Sequence, residues 1–323
     1  MSSGVYTVYT PPKHEAPALV GIVGPTASGK TDLALALART LPVEILVADS
    51  RQVYRGMDIG TAKPDAVART TVPHHLLDLA DPDEPFTVAQ WVRAAREIVG
   101  AVAARGRLPM LVGGTGLYIS ALVDGHEYES QAWSPEIRAH LTARLDAEGL
   151  DALVAELTAL APKVAAGIDL RNPRRVVRAL ERAQGGGASA VPRATPHPGR
   201  VALVGISRPR DVLYRRIDAR TRQLFESDGL LDEVAGLLAR GLGPELRPMT
   251  GHGYREAARH LAGEWSIDEA IAVTARRTRQ YAKRQLTWFR RDARILWLAA
   301  GERPGDDPGL VDEAARVLRA AIS

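Results

Sequence analysis

A doubly wound α/β fold, with a parallel sheet at its centre and a helical insertion, is predicted by three features of the sequence. Short apolar runs alternate with stretches of helical composition, the pattern of a parallel sheet covered by helices. The first run leads into Gly24-Pro25-Thr26-Ala27-Ser28-Gly29-Lys30-Thr31, which fits the P-loop pattern G-x-x-x-x-G-K-[ST] at every position. Between Asp124 and Gly199 the strand-like runs stop and helical spacing takes over.

Taken in order, residues 1–17 are polar and proline-containing and read as a loose leader. Ala18–Val23 is a continuous apolar run bounded by the glycine-rich motif, hence a buried strand, and Thr31–Leu41 has helical composition. Further strands are expected at Val43–Ala48, Met110–Val112 and Val201–Ile206. The insertion, residues 124–199, carries apolar spacing in Ile137–Leu145 and Leu150–Leu160. It ends in a Gly-, Ala-, Ser- and Pro-rich stretch from Gly185-Gly186-Gly187 to Pro196 and Pro198, expected to be a hinge or loop. The core is therefore assigned to residues 18–123 and 200–323, the latter bringing one more strand and then several helices.

The last long helical stretch, Arg276–Arg294, is the most informative. At about 100° per residue, Arg276, Arg277, Arg279, Lys283, Arg284, Arg290, Arg291 and Arg294 share one broad face. Tyr281, Ala282, Leu286, Trp288 and Phe289 lie opposite, and a single acid, Asp292, interrupts the series. Solvated helix faces mix both signs of charge; one that is nearly all positive suits a phosphate backbone.

Composition narrows the chemistry. The 323 residues contain no cysteine, which excludes disulfides, iron–sulfur clusters, thiolate zinc sites and a cysteine nucleophile. No run approaches the length of a membrane span and the first residues lack a signal-peptide layout, so a cytoplasmic protein with no membrane partner is expected. The adjacent His74 and His75 invite a metal reading, but neighbouring residues seldom share a ligand geometry and no cluster surrounds them in the sequence.

In the glycine-rich motif, Gly24 to Gly29 let successive backbone N–H groups turn inward on a polyphosphate, and the following helix adds its positive N-terminal end. Lys30 would reach the terminal phosphate and the Thr31 hydroxyl would hold Mg²⁺. This names a diphosphate or triphosphate ligand, not a reaction. Asp49 follows the second strand, at the edge where open parallel sheets bind ligands, and so faces the phosphate loop.

The string around Asp49 carries more. Asp49-Ser50-Arg51-Gln52-Val53-Tyr54, Gly56-Met57-Asp58-Ile59-Gly60-Thr61-Ala62-Lys63-Pro64 and Pro73-His74-His75-Leu76-Leu77-Asp78 resemble signature segments of the tRNA dimethylallyltransferase family, bacterial type. So do Leu111-Val112-Gly113-Gly114-Thr115-Gly116-Leu117-Tyr118, Asn172-Pro173-Arg174-Arg175, Gly253-Tyr254-Arg255-Glu256 and the run from Thr278 to Trp288. The resemblance extends in order from about Ala18 to Trp297.

It implies a prenyltransferase that moves the dimethylallyl group of dimethylallyl diphosphate to the exocyclic amine of the adenosine immediately 3′ of the anticodon in tRNA. In that reading the P-loop holds the diphosphate, not ATP as an energy source, Asp49 is the general base, Thr115 is the hydroxyl of the active-site channel, and Arg220 meets the diphosphate. It places along the tRNA path Asp49, Ser50, Arg51 and Gln52, then Arg174, Arg175, Val176, Val177 and Arg178, then Gly253, Tyr254 and Arg255, then Lys283, Arg284, Trp288 and Arg290, with Arg138 of the insertion. The chain is expected to act as a monomer. It departs from the family pattern at Thr250-Gly251-His252, where more apolar residues are usual.

A small-molecule kinase uses the same P-loop, Mg²⁺ and arginines, and explains Lys30 and Thr31 equally well. It gives no account of the Asp49 string or of the one-sided basic helix. A non-catalytic RNA-binding module or nucleotide-driven RNA motor would use the basic face but leaves Asp49 without a role.

Overall fold

The computed structural model describes residues 16–125, 135–185 and 194–322. Most of the leader and most of the Gly-rich stretch after Gln184 lie outside these described residues. The chain divides into two compact units, one running to Asp124 and resuming at Pro196, the other Gly125–Thr195.

In the first unit, β1 (Leu19–Val23) is followed by α1 (Lys30–Leu37), β2 (Val43–Ala48), α2 (Ala66–Thr71), β3 (His74–His75), α3 (Val88–Ala104), β4 (Leu108–Gly113) and α4 (Gly116–Val123). The second unit holds α5 (Pro135–Glu148), α6 (Leu150–Leu160), α7 (Pro162–Ala166) and α8 (Pro173–Gln184). The chain then returns through β5 (Val201–Ser207), α9 (Arg210–Glu226), α10 (Leu230–Ala239), α11 (Tyr254–Leu261), α12 (Ile267–Phe289), β6 (Ile295–Ala299) and α13 (Pro308–Ile322).

The six strands form one all-parallel sheet in the order β3-β2-β4-β1-β5-β6. Every residue of β1, β2 and β4 is buried, which is why these strands read as apolar runs, broken by one acid, Glu44 of β2, which pairs with His75 and Arg105: helices cover both faces of such a sheet. Because β1 lies between β4 and β5, the segments leaving the carboxyl ends of β1, β2, β4 and β5 converge on one crevice. Gly21, in the middle of β1, has no space for a side chain, since a Cβ there would lie 2.7 Å from Leu203 Cδ2.

Three expectations from sequence need correction. The edge strands β3 and β6 are absent from the sequence reading: β3 is two residues long, and β6 is an edge strand with Leu296 56% exposed, so neither forms a buried apolar run. The helix starting near Thr31 ends at Leu37, with turns carrying the chain to Leu41. The basic helix starts at Ile267, nucleated by a capping box between Ser266 and Glu269, and stops at Phe289, so Arg291 and Arg294 lie beyond it and Arg290 is its C-cap.

The second unit has its own core of Leu141, Leu153, Leu157, Ala165, Val176, Val177 and Leu180. Its Asn172-Pro173 pair begins α8: the Asn172 side chain accepts from the N–H of Arg175 at 3.3 Å, and Pro173 occupies the first helical position, where no N–H is needed. Arg174 and Arg175 are then exposed on the first turn while Val176 and Val177 turn inward.

Candidate active site

The P-loop between β1 and α1 is gripped from several sides. Gln285 of α12 accepts from the Thr26 N–H at 2.8 Å and donates to Gly114 O at 2.9 Å, tying the P-loop to the turn after β4. Arg216 Nε of α9 donates to Ala27 O at 3.0 Å, and Arg208 Nε, just after β5, donates to Ser28 O at 2.8 Å. These contacts hold the loop in backbone conformations that include positive φ at Gly24, Ala27 and Gly29. Leu213 and Ile217 of α9 pack on Ala282 of α12, with Ala27 at the edge of this cluster, so the packing of the two helices positions the tip of the loop.

Lys30 donates to Pro25 O at 2.7 Å. Burial pulls its ammonium down to about 8; the Asp49 carboxylate acts against this shift and the Arg220 guanidinium adds to it. Arg220 is likewise lowered by burial and held up chiefly by Asp49. Lys30, Asp49 and Arg220, separated by up to 190 residues of sequence, thus form one electrostatic cluster.

Asp49 stands directly after β2, where one carboxylate oxygen, Oδ1, accepts from the Arg51 N–H at 2.9 Å. Thr115 stands after β4, and its Oγ1 accepts from the Ser50 N–H at 3.0 Å. Asp49 and Arg220 line a cavity together with Thr26, Ala27, Arg51, Gly60, Thr61, Ile217, Thr221, Leu224, Gly251, His252, Tyr254, Thr274, Thr278 and Tyr281. Its wall at Gly60 is fixed by Glu233 of α10, which accepts from three successive N–H groups, Asp58 at 2.8 Å, Ile59 at 2.7 Å and Gly60 at 3.1 Å, and from the Tyr254 hydroxyl at 2.5 Å. A side chain at Gly60 would collide with the Tyr254 ring.

Sequence reasoning gave no site role to Glu233, Gln285, Arg216 or Tyr281, and placed Tyr281 on the face opposite the basic residues. The Tyr281 phenol is pushed up to about 12 by burial and is hydrogen-bonded to Thr115 and Gln285. A signal was available: Thr274, Thr278, Tyr281 and Gln285 recur at helical spacing on one face of α12, a polar stripe that faces inward.

The residues expected along the RNA path are disposed unevenly. Gln52 spends its amide on Thr61 O and Ala62 O, at 3.0 and 3.1 Å, and Arg51 donates to Arg247 O at 2.7 Å. Tyr254 is buried as a cavity wall, whereas Arg255 is exposed. Val176 and Val177 are corrected as RNA contacts, because their side chains lie in the core of the second unit. In that same unit, Arg138 pairs with the buried Glu181 at 2.6 Å, and Arg178 is exposed.

The basic face is narrower than the helical wheel suggested. Arg277 pairs with the buried Glu256, Arg279 with Asp218, and Arg294 with Asp292 and Asp124 at 2.7 and 2.6 Å. Carboxylates from other elements, invisible to a wheel of one helix, neutralise these three arginines. Lys283, Arg284 and Arg291 remain exposed around an open depression shared with Gln280, Thr287 and Trp288. Trp288 belongs to this exposed surface, at 40% accessibility, and not to the packed face assigned from the wheel. A side chain at Gly116 would collide with its ring.

His74 Nδ1 meets Val72 O at 2.8 Å and His75 Nε2 meets Glu44 at 2.7 Å, so both histidines have structural partners within the sheet edge. No helix among the described residues is long and apolar enough to cross a membrane.

Comparison with known proteins bears directly on this arrangement. A profile of the IPP transferase family matches residues 52–292, and one of isopentenyl transferase matches residues 17–71. The chain belongs to the IPP transferase family. A tRNA dimethylallyltransferase of Heliobacterium modesticaldum is 45% identical over 86% of this chain and 88% of its own length. One from Roseiflexus castenholzii is 45% identical over 93% of this chain and 97% of its own. The crystal structure of a full-length tRNA isopentenylpyrophosphate transferase from Bacillus halodurans superposes with a TM-score of 0.71 at 40% identity, covering 94% of this chain and 96% of that one. Membership of the family fits the doubly wound core, which the Bacillus halodurans structure shares.

Proposed function

We propose that this chain is a tRNA dimethylallyltransferase: it transfers the dimethylallyl group of dimethylallyl diphosphate to the exocyclic amine of the adenosine immediately 3′ of the anticodon, releasing diphosphate. The observation that carries this reading is the convergence of Lys30, Arg220 and Asp49 beside the P-loop, two cations and one carboxylate in one electrostatic cluster, with Asp49 and Arg220 lining the cavity.

The chemistry follows from those groups. The adenine amine is a weak nucleophile because its lone pair is delocalised into the ring. As its nitrogen bonds to the allylic carbon, the carbon–oxygen bond to the diphosphate breaks and carries its electron pair to the leaving group. The amine proton passes to Asp49. Lys30, Arg220 and the loop N–H groups stabilise the charge that grows on the diphosphate. Ser50 N–H and Tyr281 fix the Thr115 hydroxyl beside the turn that carries Asp49. Ile217 and Leu224 provide an apolar stretch of wall for the five-carbon chain.

Mg²⁺ fits as an ion carried by the diphosphate. Thr31 is exposed in the first turn of α1 next to Lys30, and no group of three His, Cys, Asp or Glu among the described residues would hold an ion unaided. When bound, such an ion neutralises charge on the departing diphosphate.

The RNA reaches the cavity along Arg51, Arg255 and the exposed surface of Lys283, Arg284, Trp288 and Arg290, with Arg138, Arg174, Arg175 and Arg178 of the second unit as further phosphate contacts. An exposed tryptophan beside cations suits stacking on an unpaired loop base.

The test is incubation of the purified protein with an anticodon stem-loop and labelled dimethylallyl diphosphate in the absence of any nucleotide. Prenylated RNA is expected. Asp49→Ala should lower the rate by about 10²–10⁴ while stem-loop binding persists. Dependence on ATP with transfer of a phosphoryl group would establish the kinase reading instead.

A further inference from the structure

The carbonyls of the P-loop are held one after another by donors from outside it or from its own end. Lys30 Nζ donates to Pro25 O at 2.7 Å, Arg216 Nε to Ala27 O at 3.0 Å and Arg208 Nε to Ser28 O at 2.8 Å, while the Leu33 N–H donates to Gly29 O at 3.1 Å. A peptide unit is planar and trans, so holding the carbonyl of one residue fixes the direction of the next residue's N–H, which points the opposite way. The bond from Arg208 to Ser28 O therefore aims the Gly29 N–H, and contacts at Gly29 O aim the Lys30 N–H. Both belong to the run of backbone donors with which a P-loop cradles phosphate.

One segment late in the chain braces both peptides. Arg208 stands directly after β5, is 8% exposed, and its Nη1 donates to Gly301 O at 2.7 Å, in the turn between β6 and α13. The turn is itself fixed to β5, because the Ala300 N–H donates to Ser207 O at 2.9 Å. Gly305 of the same turn is buried against the loop: a Cβ there would overlap Gly29 O. A Cβ at Gly29 would in turn lie 3.0 Å from Gly305 Cα and 3.2 Å from Arg208 Nη2. Arg208, Gly301 and Gly305 do not line the cavity, so they act on a ligand only through the loop. Arg208 makes no ion pair among the described residues, and burial and then the neighbouring Arg216 work against its charge. A buried cation without a carboxylate partner is costly to keep, and here it stands beside a loop built for an anion.

We propose that Arg208 is a positioning residue for the diphosphate: with the turn at residues 301–305 it presets the Gly29 and Lys30 N–H groups toward the phosphate oxygens. The turn lies beyond residue 292, where the match to the IPP transferase profile ends, and this role makes the C-terminal segment part of the donor site. The inference rests on the function proposed above only in placing a diphosphate on the P-loop.

The test uses the full-length protein, titrated with inorganic diphosphate and with dimethylallyl diphosphate, alongside steady-state transfer to the anticodon stem-loop. Arg208→Met, which keeps a long side chain without its donors, should weaken binding of both diphosphates about tenfold, the worth of one hydrogen bond involving a charged group. KM for dimethylallyl diphosphate should rise by a similar factor, while KM for the stem-loop stays within about twofold. Arg208→Lys keeps the charge but lacks the fork that reaches two carbonyls, so its diphosphate affinity should fall between those of the wild type and Arg208→Met. Gly305→Ala, which leaves Arg208 intact and pushes on Gly29 O, should also weaken diphosphate binding and spare the stem-loop. Thermal melts distinguish a folding defect from a misdirected loop, and Arg208→Lys and Gly305→Ala carry the comparison if Arg208→Met is unstable. Wild-type diphosphate affinity in a folded Arg208→Met or Gly305→Ala variant, or a KM for the stem-loop that rises as much as that for the donor, would overturn the assignment. If the wild type binds diphosphate but does not prenylate the stem-loop, the function proposed above fails, and the titration with inorganic diphosphate still decides the role of Arg208. A wild type that binds neither diphosphate overturns both.

Discussion

The depressed Lys30 ammonium makes donor binding pH-dependent in a range where ordinary lysines are silent. In the unliganded protein its proton is lost near pH 8, against about 10.4 for a free lysine. A diphosphate placed beside it favours the charged form, so binding takes up a proton above pH 8 and weakens as pH rises. If only the ammonium form binds well, the protonated fraction falls from about nine-tenths at pH 7 to about one-tenth at pH 9, and affinity falls about tenfold. The last ionisation of a phosphate ester, near pH 6, is complete below this window and does not mask the effect. The linkage to stability has the opposite sign. Between the folded and unfolded values the unfolded chain binds more protons, so the unliganded protein gains stability as pH rises from about 8 to 10. The assay is calorimetric titration with dimethylallyl diphosphate, without RNA, at several pH values in buffers of different ionisation enthalpy, with Lys30→Ala as control. Affinity that is flat from pH 7 to 9, or a slope that persists in Lys30→Ala, would refute the assignment of Lys30 as the titrating diphosphate ligand.

Two further outcomes are expected. Gln285→Leu leaves the Thr26 N–H and Gly114 O without their shared partner, so thermal denaturation should report a loss of about 1–3 kcal/mol and KM for the diphosphate should rise; an unchanged melting temperature and KM would show that the bridge is dispensable. Replacing Lys283, Arg284 and Arg291 together by alanine should flatten the salt dependence of stem-loop binding, by about 0.7–0.9 in log–log slope for each phosphate contact removed, and leave donor binding intact; an unaltered slope in a titration over several salt concentrations would mean that this face does not touch RNA.

Much of the core was legible because its signals are local. A buried parallel strand must be apolar at every position or nearly so, and β2 is found at Val43–Ala48, where the apolar run predicts it. A P-loop needs glycines, a lysine and a hydroxyl at fixed offsets, and these stand together in the chain. Asp49 could be placed because the carboxyl end of a strand in such a sheet opens on the ligand crevice. The edge strand β3 was not legible, since two residues paired on one side impose no pattern, whereas β6, Ile295–Ala299, is an apolar run as long as β1 that the sequence reading left unassigned. The Asn172-Pro173 motif shows a different limit. The resemblance assigns the residues that follow it to RNA as a block, yet Asn172 and Pro173 start a helix and Val176 and Val177 fill a core, leaving the arginines at the surface.

The sequence by itself determined the α/β class, the phosphate loop and the family, because these depend on residue type and short-range spacing. Only the tertiary structure decided which charges are available and which polar groups meet. Glu256 and Asp218, on two other helices, pair with Arg277 and Arg279, and Trp288 turns out to the same surface as Lys283 and Arg291. The packing of α9 on α12 brings Arg220 to Asp49 and Lys30, and burial in that cluster draws the lysine toward neutrality. Coulomb interactions and desolvation depend on distance and surroundings in space, and neither is written in the order of residues along the chain.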